Sequence, residues 1–216
     1  MRMVSAVLAF LFLACASVSA QDNWQWRIYG GYQYSRVDTT STQTFLNATH
    51  LFDPAIPAIN YGTRQNLNGW DAGVEQDGRW GIGAIVDFSG GYESKNQTIS
   101  SGGGITNTTR TRLRMYTATA GPQFVMHRSS QFQPFAHALF GAAWYRDNTS
   151  FLSNNIPLVP DFGENDTRFT VGAGAGVNVF FSKNIGFRVA GDYFRTFFFD
   201  AGQNNFRGTA GLVIRF

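Results

Sequence analysis

Cysteine is confined to one position, Cys15, which lies in a segment expected to be lost on export. Arg2 precedes an apolar run from Val4 to Ala14, and Val18-Ser19-Ala20 is a small-residue cleavage site. Residues 1–20 therefore read as a cleaved signal peptide and residues 21–216 as one mature domain. The apolar core of about 11 residues is too short for a spanning helix, which needs ~20. A lipoprotein would be acylated at Cys15, but Phe12 stands three positions before it, where Leu is usual. The mature chain thus offers no thiol for a disulfide, a nucleophile or a metal.

Long apolar runs, lysine and histidine are also scarce. Mean hydropathy is −0.16, and past the leader no stretch has the length of a membrane helix. The net charge of +3 is spread along the chain and reaches no basic patch, which excludes nucleic acid as a partner. Lysine occurs twice against fifteen arginines; a planar, permanently charged guanidinium suits buried bidentate pairing, so part of this charge is expected inside the fold. His50, His127 and His137 fall in a loop, a turn and a strand without ligand spacing, so no metal site is expected. Gly102-Gly103-Gly104 lacks the Lys-Ser/Thr and following helix of a phosphate loop and reads as a loop tip. No cofactor site follows from any motif.

Aromatic residues reach 16% and glycine numbers 24, a composition that fits strands of which only every second residue meets an apolar medium. Eight such strands are predicted, starting with about Trp24–Arg36, Gly69–Gln76 and a third from Trp80 through Phe88, joined to the second by a tight turn at Asp77-Gly78. The fourth to eighth span about Arg112–Met126, Pro134–Arg146, Arg168–Phe181, Ile185–Tyr193 and Asn204–Phe216. The sixth alternates most cleanly, with Phe169, Val171, Ala173, Ala175, Val177, Val179 and Phe181 opposing Thr170 and three glycines. Segments 37–68, 93–110, 147–166 and 197–203 read as long polar loops, and they alternate with short turns. Strands that are apolar outward and charged inward suit a closed barrel in a bilayer, which satisfies every backbone group. The predicted class is therefore all-β, an eight-stranded antiparallel up-and-down transmembrane barrel.

The closing Gly211-Leu212-Val213-Ile214-Arg215-Phe216, the Gly121-Pro122 followed by Pro134-Phe135, and the glycine-rich sixth strand carry a resemblance when taken in order. Together they resemble the small eight-stranded barrels of the bacterial outer membrane, typified by the OmpA transmembrane domain and the opacity-type surface proteins. The resemblance covers nearly the whole mature chain. It implies an outer-membrane address, a lipid environment that includes lipopolysaccharide where present, and a monomer. It also implies that Phe216 is the terminal aromatic read by the barrel-assembly machinery after escort by periplasmic chaperones. OmpA continues into a peptidoglycan-binding domain, and this sequence stops at its last strand, so cell-wall anchoring is not carried over.

Alternation turns Arg27, Asp71, Glu75, Asp87, His137, Arg168, Arg188, Asp192, Arg207 and Arg215 inward. Eight strands enclose a lumen that side chains fill, so these groups are expected to form ion pairs that close it. The alternative is a narrow channel for small solutes. A soluble calyx of the lipocalin type would place apolar residues inward, the reverse of this pattern. No catalytic residue is expected. His127-Arg128-Ser129 matches the His-x-Ser element of a lipid A deacylase family, but it sits at a periplasmic turn without a neighbouring carboxylate and reads as a turn cluster. Asn47, Asn96, Asn107, Asn148 and Asn165 begin Asn-x-Ser/Thr triplets in the loops, and they follow from Asn/Thr-rich composition rather than from glycosylation. In the first loop Phe45, Leu51, Phe52, Ile56 and Ile59 surround Pro54 and Pro57 and are expected to pack over the barrel mouth or meet an extracellular partner. Trp24, Trp26, Tyr32, Trp70, Trp80, Trp144, Tyr193 and Phe216 are expected to face lipid.

Overall fold

A computed structural model describes residues 24–40, 43–44, 62–78, 80–101, 105–126, 131–153, 162–197 and 202–216. They form β1 (Gln25–Asp38), β2 (Arg64–Asp77), β3 (Ile82–Ser101), β4 (Ile105–Val125), β5 (Phe132–Ser153), β6 (Phe162–Phe180), β7 (Ile185–Thr196) and β8 (Gln203–Arg215). Each strand pairs antiparallel with the next, and β1 pairs with β8 from Arg27↔Arg215 to Arg36↔Phe206, which closes the sheet. The last residue is part of that seam, its backbone N–H donating to the Trp26 carbonyl at 2.9 Å. The predicted eight-stranded barrel is borne out.

Period-two alternation sorts the side chains. On β7, Ile185, Phe187, Val189 and Tyr193 are exposed while Arg188, Ala190, Asp192 and Phe194 are buried. The outer surface carries two aromatic rings separated by aliphatic residues. Tyr32, Trp70, Tyr92, Trp144, Tyr193 and Phe206 mark one level, and Trp24, Trp80, Phe124, Phe132, Phe181 and Phe216 the other, all of them exposed. At the first level polar handles are engaged: Tyr193 Oη donates to Asn204 Oδ1 at 2.6 Å, and Trp70 Nε1 to Tyr92 Oη at 3.2 Å.

Several boundaries differ from the sequence reading. The segments 93–110 and 147–166 are largely strand, because β3 and β4 stay paired as far as Ser101↔Ile105 and β5 and β6 as far as Thr149↔Phe162. β2 begins at Arg64, five residues before the predicted start. Beyond the buried lumen cluster, Ser94, Lys95 and Asn96 of β3 are all exposed, so hydrophobic alternation vanishes while backbone pairing continues. The turn after β2 is not Asp77-Gly78 alone. It runs to Gly81, whose φ of 75° is the left-handed conformation that favours glycine, and Trp80 lies in it, 80% exposed. The Gly81 carbonyl then accepts from Val125 N–H at 2.7 Å and ties the turn to the end of β4. Residues 1–23, His50 and the apolar first-loop residues, Gly102–Gly104 and His127–Ser129, for which the sequence carries expectations, lie outside the described residues.

Candidate functional site in the barrel interior

Two arginine-centred clusters occupy the lumen. Near the end that carries the termini, Arg27 is fully buried; its Nε donates to Glu75 Oε2 at 2.9 Å, Nη2 to Asp77, and Nη1 to Gln25 Oε1 at 2.9 Å. Arg188, from the opposite wall, pairs with the other oxygen of Glu75, and its guanidinium stacks 3.9 Å from the centre of the Phe135 ring and 4.1 Å from that of Tyr29. One carboxylate is thereby held between two guanidiniums.

The second cluster centres on Arg207. Its Nε donates to Asp192 Oδ2 at 2.8 Å, and its Nη1 reaches Asp87 Oδ1 at 2.7 Å and Asp71 Oδ1 at 3.4 Å. Tyr29 Oη donates to Asp87 Oδ2 at 2.7 Å, and His137 Nε2 lies 2.8 Å from Asp192 Oδ1. Strands β1, β2, β3, β5, β7 and β8 all contribute, so residues distant in sequence converge through barrel closure. Removing one partner from such a buried pair leaves an uncompensated charge, at a cost of about 3–5 kcal/mol.

Apolar layers flank these charges. Toward the long-loop end Val37, Leu67, Leu113, Met115, Ala143 and Tyr145 form a buried cluster. Around and below the charges lie Tyr29, Ile85, Leu139, Phe180, Phe194 and Val213. Between the upper apolar cluster and Arg207 a cavity of about 20 Å³ remains, bordered by Gln33, Ser89, Thr117 and Asn205 among others. That space is close to the volume one water requires.

Arg27, Asp71, Glu75, Asp87, His137, Arg188, Asp192 and Arg207 are all buried on the lumen side and are brought together in the two clusters. Arg215 and Arg168 sit at opposite rims. Arg215 Nε donates to the Lys183 carbonyl at 2.5 Å with its guanidinium over Phe180, and Arg168 pairs with Asp166 at 3.0 Å, partly exposed. Sequence reasoning missed Asp77, which it used as a turn residue and which instead turns inward to Arg27. The signal was available: Asp77 shares parity with Asp71 and Glu75. It also missed the apolar lumen residues Val37, Leu67 and Leu113, which lie in or beside segments read as loops. His137 Nδ1 meets no hydrogen-bond partner among the described residues, so no hydroxyl completes a nucleophile–His–Asp relay there. Among the described residues no group of three metal-ligating side chains converges.

A closed eight-stranded barrel with two aromatic rings outside and ion pairs inside is the architecture of a bilayer-spanning protein. The chain belongs to the family of the outer membrane protein beta-barrel domain, which matches residues 6–216. Among solved structures it is similar to Ail, the attachment invasion locus protein of Yersinia pestis, in complex with the heparin analogue sucrose octasulfate. The TM-score is 0.56 at 17% identity, over 90% of this chain and 99% of that one. It is also similar to Neisserial surface protein A, with a TM-score of 0.53 at 11% identity, over 88% and 95% of the two chains. At these identities the likeness is one of fold. No protein of curated function matches the chain. The barrel is thus a transmembrane protein of the bacterial outer membrane, with its upper end outside, since outer-membrane barrels keep their short turns in the periplasm.

Proposed function

We propose that the mature chain is a non-enzymatic barrel with a plugged lumen, acting in envelope structure or in surface interaction through its outward hairpins. The observation that carries this reading is the stack of two ion-pair clusters and an apolar cluster, with a residual cavity of about 20 Å³ between them. A solute would have to part buried charges and an apolar layer in succession, and each breach exposes groups whose desolvation is already compensated. Catalysis is disfavoured by the same crowding, because among the described residues the His137–Asp192 pair has neither a hydroxyl partner nor room for a substrate.

The reading includes removal of residues 1–20 at export and recognition of Phe216 during assembly. The fold partner Ail has been crystallised with a heparin analogue. For this chain a soluble partner would engage the outward ends of the β3–β4 and β5–β6 hairpins, whose ladders continue past the aromatic ring. The test is planar-bilayer recording of refolded protein whose folding is verified by a boiling-dependent gel shift. A closed barrel gives no stable unitary conductance; discrete, reproducible openings would establish the narrow-channel alternative instead.

A further inference from the structure

The cavity of about 20 Å³ beside Arg207 is bordered by one acceptor and two donors that find no partner among the described residues. Gln33 of β1 is buried, and its Oε1 meets no hydrogen-bond donor. Its amide nitrogen lies against Gly91 of β3, which leaves the room for it: a Cβ there would come within 3.0 Å of Gln33 Nε2. Arg207 of β8 supplies the first donor. Its Nε–H and one Nη2–H are taken by Asp192 and its Nη1 serves Asp87 and Asp71, so the other Nη2–H has no acceptor among the described residues. The second donor comes from the hydroxyls of Ser89 and Thr117, 2.7 Å apart across β3 and β4. One hydroxyl donates to the other, and the accepting one keeps a hydrogen of its own to place.

An acceptor and two donors around one small space define what fills it. A buried polar group without a partner costs the whole of its desolvation, and buried waters make about three hydrogen bonds to groups of this kind. One water needs about 10–15 Å³, so the space admits it. Asn205, also at the border, is already engaged at both amide atoms: Oδ1 accepts from Asp38 N–H at 2.8 Å, and Nδ2 donates to Thr196 Oγ1 at 2.9 Å. On the long-loop side Val37, Leu67 and Met115 close the space with apolar side chains. A halide would meet the same two donors, but it would also face the Gln33 oxygen, an acceptor that repels an anion.

We infer that this cavity is the binding site of one ordered water, which accepts from Arg207 Nη2–H and from the Ser89–Thr117 hydroxyl pair and donates to Gln33 Oε1. A single molecule thereby joins β1, β3, β4 and β8 and extends the Arg207 cluster to the underside of the upper apolar layer. The site does not require a sealed lumen: conductance tests the seal and leaves the water standing. The experiment measures nuclear Overhauser transfer from water to the methyl groups of Leu67 and Met115 in the mature protein, refolded in deuterated detergent. Those methyl protons border the cavity and do not exchange with solvent. Wild type shows cross-peaks to them with the sign of a water that tumbles with the barrel. Gln33→Met keeps the length of the side chain and the boiling-dependent gel shift, deletes the acceptor, and loses the cross-peaks. Their absence in wild type overturns the site. Cross-peaks of unchanged strength in Gln33→Met arise from the exchanging Ser89 and Thr117 hydroxyls rather than from a water, and overturn it too. Should Gln33→Met show no gel shift, a high-resolution crystal structure of wild type decides. Density within hydrogen-bond distance of both Gln33 Oε1 and Arg207 Nη2 supports the site, and an empty cavity removes it.

Discussion

Arg207 gathers more of the fold than any side chain near it. Three carboxylates from three other strands, Asp71, Asp87 and Asp192, converge on one guanidinium. Arg207→Met removes the cation and leaves those groups facing one another in the lumen, so equilibrium unfolding by urea in lipid vesicles should register a loss of about 3–5 kcal/mol. Arg168→Ala provides the contrast. Its pair with Asp166 is 41% exposed on the arginine side, so screening and side-chain entropy leave a change of less than ~1 kcal/mol in the same measurement. Equal losses in the two variants would show that the lumen cluster contributes no more than a surface ion pair.

At the scale of elements, β6 and β7 pass close together where charges must fit between them. A Cβ on Gly174 would lie 1.9 Å from Asp192 Oδ1 and 2.7 Å from His137 Nε2, whereas one on Gly191, facing outward on β7, meets nothing within 4 Å. Gly174→Ala must push apart a carboxylate that Arg207 and His137 hold from two sides, and should cost about 1–3 kcal/mol. Gly191→Ala should stay within ~0.5 kcal/mol in thermal unfolding; a reversal of that order would contradict the packing described. The β3–β4 hairpin divides in the same way along its length. Amides from Lys95 to Thr108 should exchange with deuterium well before those from Ala84 to Gly91, because the upper ladder continues past the aromatic ring from Ser94, Lys95 and Asn96, which are all exposed. Uniform protection along the hairpin would place that stretch in the bilayer.

The same division decided what was legible in the sequence. β7 could be read nearly to its ends, and β6 from Arg168 onward but not over its first six residues from Phe162, because the period of two is uninterrupted only where one face meets lipid. The upper halves of β3, β4 and β5 read as loops, since Thr, Asn and Ser on both faces leave no periodic signal. The lumen charges followed from parity, but Leu67 and Leu113 did not, because an apolar residue facing inward breaks the pattern that locates the strand.

The whole molecule is a barrel whose wall is fixed by backbone pairing and whose lumen is fixed by charge. Below an apolar layer of Val37, Leu67, Leu113 and Met115, Arg188 and Arg207 reach across the lumen to Glu75 on β2 and Asp87 on β3, while Arg27 joins β1 to its neighbour β2. If the lumen is closed as proposed, closure is a property of layers in series, and loss of one layer alone should not open a path. The direct test compares three barrels in planar bilayers, each first verified by its gel shift: wild type, Arg207→Ala, and Arg207→Ala combined with Arg27→Ala and Leu113→Ala. Wild type and the single variant should remain silent, and the combined variant should show discrete openings. Stable unitary conductance through wild type would contradict the closed lumen and make transport the function of this barrel.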